Sequence, residues 1–148
     1  MYEPKEPIFR SYDADESPKV ATYSPVIEPI VPGHTVELSG IVGIDPDTKK
    51  LAKGGISAET KCILDEVRAQ LEKAELSMQH VMKVEVKLAG RVSRIFSRKL
   101  SKDFTAMNAV YNEAFKENTP PPTRYTVGGL QLLHHARVEM VVTAFRPD

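Results

Sequence analysis

Between Val81 and Leu88 the chain alternates cleanly, with Val84, Val86 and Leu88 on one side and Lys83, Glu85 and Lys87 on the other. That is the pattern of a β-strand with one buried and one wet face. Upstream, from Ser57 to about Leu76, the positions Ile63, Leu64, Val67, Leu71 and Ala74 recur at helical spacing opposite Asp65, Glu72 and Lys73. They predict an amphipathic helix, with Ser57 as its N-cap after the Gly54-Gly55 loop. A second helix is predicted from Ser101, with the stripe Phe104, Met107, Tyr111 and Phe115, closed by Pro120-Pro121-Pro122. Two strand-like runs follow, TRYTV around Arg124 and ARVEMVVTAF around Glu139, joined by a link short enough for a hairpin. In the last run Val138, Met140, Val142 and Ala144 share one face, and Glu139, Val141, Thr143 and Phe145 the other. Both faces are largely apolar, so the strand is expected to be buried on both sides, and a carboxylate there needs a partner or a use.

Near the start, Tyr23 to Ile30 reads as a proline-interrupted edge strand, and the Pro32-Gly33 turn leads into a second run, His34 to Gly43. The two are expected to pair as a hairpin. The resulting order, β-β-α-β-α-β-β, predicts an α+β fold: a mixed β-sheet with two helices on one face. Nothing further in the chain is expected to cover Val141 and Phe145, so the other face predicts a homo-oligomer. Residues 1–20, with three prolines among charges, read as an extended or disordered N-terminal arm, leaving residues 21–148 as one domain.

Composition narrows the class. The chain has 148 residues, and its 20 basic and 20 acidic side chains cancel, so no global field points to nucleic acid or an anionic membrane. The single cysteine, Cys62, falls in a helical pattern and reads as a reduced core thiol. No apolar run approaches the roughly 20 residues of a membrane span, and the N-terminus lacks a signal-peptide core. No membrane partner is expected. The reading is a cytoplasmic protein, with a mitochondrial location left open.

Local chemistry is sparse. Arg124 follows three prolines and a threonine, and its guanidinium either sits solvated at the surface or clamps a carboxylate through its two-pronged fork. Glu139 is either half of a structural ion pair or a general base. His134-His135 lies in a turn with no Cys or His spacing elsewhere to complete a site, so no metal is expected. Residues 91–100, RVSRIFSRKL, form a basic amphipathic turn with Val92, Ile95, Phe96 and Leu100 at helix-like spacing. They read as an extension of the second helix or as a patch for RNA phosphates or an acidic protein partner.

Several segments, in order, resemble the RidA (YjgF) family of reactive intermediate deaminases, whose members also carry the label endoribonuclease L-PSP. They are Tyr23-Ser24, Ser39-Gly40, the turn Asp45-Pro46-Asp47-Thr48 with Leu51, and Gly54-Gly55-Ile56 with Ala58 and Thr60. Asn108-Ala109-Val110-Tyr111 with Phe115, Pro122-Thr123-Arg124 and Val138-Glu139 complete them, so the similarity runs from about Tyr23 to Phe145. The resemblance implies a chorismate-mutase-like fold, a homotrimer with clefts between subunits, and hydrolysis of enamine or imine intermediates such as 2-aminoacrylate to 2-keto acids and ammonia, without a cofactor. It implies that Arg124 binds the substrate carboxylate, that Glu139 activates water, and that Tyr23 and Ser39 line the cleft. The chain departs from the pattern at Ile41, Leu133 and Val141, where the family commonly has Gln, Pro and an acidic residue. A non-catalytic metabolite-, protein- or RNA-binding module is the alternative. Endoribonuclease activity ranks below both, for want of a His pair placed for phosphodiester cleavage.

Overall fold

The computed structural model describes residues 7–12, 21–94 and 97–148. Its centre is a five-stranded mixed sheet built on β9 (Val138–Pro147), the longest strand. Along one edge β9 pairs antiparallel with β3 (Gly33–Glu37) and with the short β4 (Ile41–Val42). Along the other it pairs antiparallel with β5 (Val81–Leu88), which in turn holds β8 (Thr123–Val127) in parallel. The alternation read from the sequence in β5 and β9 is kept: Val84, Val86, Leu88, Val138, Met140 and Val142 are all fully buried.

Two helices cover that face, α1 (Gly55–Lys73) and α2 (Lys102–Ala114). Ile63, Val67 and Leu71 of α1 meet Phe104, Met107 and Tyr111 of α2 in one core with the sheet. At about 25 cal/mol per Å² of apolar surface, each fully buried side chain of this size contributes about 1.5–3 kcal/mol. Ser101 caps α2 as predicted, its Oγ accepting from the Phe104 N–H at 3.1 Å. For α1 the expected Ser57 cap is corrected: the helix starts two residues earlier, behind Gly54. Gly54 and Gly55 have φ of 120° and 77°, a backbone that favours glycine and lets the chain turn straight into the helix.

Five further expectations are corrected. The predicted hairpin between Tyr23–Ile30 and His34–Gly43 does not form. Instead β2 (Ile27–Pro29) pairs antiparallel with β1 (Phe9–Ser11) in a separate two-stranded ribbon. Part of the arm is therefore ordered against the domain: Ile8 and Phe9 are buried, and the Phe9 ring meets Phe145 edge-on, with centroids 6.1 Å apart. Residues 1–6 and 13–20 of the arm lie outside the described residues. Phe145, expected to need a second subunit, is thus covered by its own chain, while Val141 stays half-exposed.

Residues 91–100 do not extend α2, because β6 (Ser93–Arg94) and β7 (Ser97–Leu100) form an antiparallel hairpin there. Finally, the two strands that carry Arg124 and Glu139 are not neighbours, since β5 runs between them.

One buried group makes stability depend on pH. His80 ends a short 3-10 turn, Met78–His80, is fully buried, and accepts the Ser77 backbone N–H on Nδ1 at 3.0 Å. Burial, and after it the charge of Arg146, hold the imidazole below its ordinary pKa. The unfolded chain therefore takes up this proton first as pH falls, at about 6.5. The contribution is fully present above that pH and is lost on acidification. The melting temperature is expected to drop between pH 7.5 and 5.5, and to drop less in His80→Gln, as read by thermal denaturation at both pH values. Equal drops in the two proteins would contradict the assignment.

Candidate active site

Three prolines deliver the chain into β8, and Arg124 aligns with Val84 of β5, which aligns with Val142 of β9. Side chains of aligned residues share a face, so Arg124 points to the helix side of the sheet. Its Cζ lies 4.5 Å from the ring centroid of Tyr111 and 5.4 Å from that of Phe104, both on α2. Its Nη1 donates to Asn108 Oδ1 at 2.6 Å and its Nε to Thr126 Oγ1 at 3.0 Å. Nη2 is buried with no hydrogen-bond partner. Among the described residues no carboxylate forms an ion pair with this cation.

Burial lowers the Arg124 pKa, opposed by Tyr111 and then Tyr23, yet a guanidinium stays charged at any physiological pH. An unpartnered buried charged donor costs more than the about 1–3 kcal/mol of a neutral one, so the fold carries an unmet demand for an anion at this spot.

Tyr23 joins this half of the site. Its neighbours are pinned on both sides, the Thr22 N–H donating to Asn112 Oδ1 at 3.1 Å and Ser24 bonding the carbonyls of Pro121 at 2.5 Å and Pro122 at 3.1 Å. That anchoring holds Tyr23 close enough to act electrostatically on Arg124.

Ser39 and Glu139 form a second cluster elsewhere. Glu139 aligns with Val42 of β4 and with Lys87 of β5, on the face opposite the helices, and is half-buried. Its carboxylate lies against Gly40, where an added Cβ would stand 2.3 Å from Oε1, so a side chain there would make the carboxylate move. Ser39, exposed, immediately precedes that glycine. Among the described residues Glu139 makes no ion pair or side-chain hydrogen bond.

Within one chain the four residues therefore fall into two pairs, Tyr23 with Arg124 and Ser39 with Glu139. A strand separates the pairs, which lie on opposite faces. Among the described residues β8 pairs only with β5 and is an edge strand. A cleft of about 630 Å³ between α1 and α2, lined by Leu64, Val110 and Ala114 among others, contains none of the four. Among the described residues no group of three or more His, Cys, Asp or Glu could hold a metal. His134 and His135 sit on an exposed turn with φ of 59° and 57°.

Asn108, Tyr111 and Thr126 were not singled out as site residues by sequence. The signal was present, because Phe104, Asn108 and Tyr111 are spaced four and three apart and so share one helix face. A polar Asn in an otherwise apolar stripe marks where something charged must lie beneath.

Comparison with known proteins agrees with this architecture. The family model described as endoribonuclease L-PSP matches residues 14–146. A RutC family protein of Pyrococcus abyssi is 33% identical over 143 residues, covering 96% of this chain and 98% of its own. A protein of Dermatophagoides farinae named 2-iminobutanoate/2-iminopropanoate deaminase is 34% identical over 116 residues, covering 78% and 81%. Among solved structures, yeast Mmf1 superposes with a TM-score of 0.63 at 27% identity, covering 92% of this chain and 97% of its own. With two helices on a mixed sheet and a match over nearly its whole length, the chain belongs to the endoribonuclease L-PSP family, also called the RidA or YjgF family.

Proposed function

We propose that the protein hydrolyses enamine and imine intermediates that carry a carboxylate, such as 2-aminoacrylate, to 2-keto acids and ammonia. The observation that carries this reading is Arg124, a part-buried cation with no carboxylate partner among the described residues and one buried guanidinium nitrogen unsatisfied. The named activity of a relative 34% identical supports it.

In this reading the substrate carboxylate binds Arg124, and Glu139 of a second copy completes the site. Assembly through the open edge of β8 would bring the two halves together, which one chain leaves on opposite faces. The imine tautomer has an electrophilic C2. Glu139 takes a proton from water as its oxygen attacks C2 and passes it to the imine nitrogen; the hydroxyl proton of the carbinolamine then moves to its amino group, and the ketone forms as ammonia leaves. No electrons are exchanged with a cofactor. Holding water, base and carbon in place supplies several kcal/mol of the barrier, up to about 7–11 in well-oriented intramolecular reactions. That suffices for a reaction already proceeding slowly in water.

The test generates 2-aminoacrylate with a dehydratase and follows its decay. The protein is expected to accelerate release of pyruvate and ammonia; an unchanged decay rate would overturn the reading. A module that only holds a carboxylate metabolite would bind a 2-keto acid through the same Arg124 and leave the decay untouched.

A further inference from the structure

We infer that Tyr111 is a binding residue of the same site, its hydroxyl donating to the second oxygen of the carboxylate that Arg124 holds. This rests on the carboxylate reading above and assigns a role to a residue of α2 that the resemblance leaves in the core. The sequence predicts a two-pronged guanidinium clamp, but the side prong is already committed. Nε donates its one N–H to Thr126 and Nη1 one of its two to Asn108, which leaves Nη2 as the guanidinium nitrogen with no partner. A carboxylate offers about four acceptor sites on two oxygens, more than the remaining N–H groups fill, so a further donor has a place beside them.

The Tyr111 hydroxyl is the other buried donor at this spot without a partner. Its ring lies 4.5 Å from the Arg124 Cζ, so the two side chains whose buried donors lack partners pack against each other beneath α2. Burial pushes the phenol far above its ordinary pKa, against the pull of Arg124, so it stays an O–H donor at every working pH. Both atoms are closed to solvent in the single chain, so ligand binding includes a local opening.

A purely structural Tyr111 makes the opposite prediction for its removal. Tyr111→Phe keeps the ring against Phe115, 4.6 Å away between centroids, and deletes only the unsatisfied hydroxyl. The ligand-free variant is expected to melt at the same or a higher temperature, because a buried group without a hydrogen bond is lost. Its dissociation constant for 2-oxobutanoate is expected to rise about tenfold or more, with no change for the neutral 2-oxobutanamide.

Calorimetric titration with both ligands, and thermal denaturation without them, decide the matter. Unchanged affinity for 2-oxobutanoate would overturn the assignment, as would a melting temperature lowered by several degrees, which would mean that the hydroxyl is bonded within the fold. Binding is read without turnover. A wild type that binds 2-oxobutanoate but leaves 2-aminoacrylate untouched would end the deaminase reading while the variant still decides the role of Tyr111.

Discussion

Arg124→Met is expected to lose on the order of 100- to 1000-fold in kcat/KM for imine hydrolysis while remaining folded, since charged hydrogen bonds are worth about 1.5–3 kcal/mol each. Methionine is unbranched and about as long as the arginine stem, so it can lie against the Phe104 and Tyr111 rings where the guanidinium stood. It also removes a part-buried charge that has no counter-ion among the described residues. Replacing buried ionic groups by apolar ones of similar volume is often neutral or stabilising, so folding is not the expected casualty.

Arg124→Lys is expected to do almost as badly. An ammonium is a compact point charge, and it cannot serve Thr126, Asn108 and a substrate in the planar arrangement that the guanidinium holds. Melting curves separate lost folding from lost chemistry, and steady-state rates on dehydratase-generated 2-aminoacrylate supply the rest. A well-folded Arg124→Met protein with wild-type rates would remove Arg124 from the mechanism.

Much of the fold was legible because amphipathic periods are long there. Six alternating residues in β5, Lys83 to Leu88, and the Phe104, Met107, Tyr111 stripe of α2 leave no rival assignment. Neighbour relations were not legible in the same way. Periodicity tells which face of a strand is buried, never which strand lies beside it. The link from Gly128 to Arg137 was read as a hairpin, but it is long enough to pass over the end of β5, and β8 pairs with β5 in parallel. Reading Arg124 and Glu139 as neighbours followed from that missed crossover.

Residues 91–100 failed for a related reason. Apolar positions at 92, 95, 96 and 100 fit a helical stripe, yet in a segment this short the same residues fit two strands and a turn. The pairing of β1 with β2 left almost no trace, since among the described residues of the arm only Ile8 and Phe9 are apolar and buried. At the site itself, the residue types were readable and their separation was not. An arginine after three prolines and a carboxylate in an apolar strand stood out, whereas their placement on opposite faces depends on sheet order alone.

That separation makes the account's central claim testable by mixing. Two proteins, Arg124→Met and Glu139→Gln, are each expected to be inactive alone. When they are unfolded together in equal amounts and refolded, some contacts between copies join an intact Arg124 to an intact Glu139. In a closed ring where each cleft takes one residue from each of two neighbours, random assembly restores about a quarter of the clefts. The measurement is the rate of 2-aminoacrylate hydrolysis by the mixture. Recovery to about a quarter of the wild-type rate is the predicted result, and a mixture no faster than its inactive parents would contradict a site shared between copies.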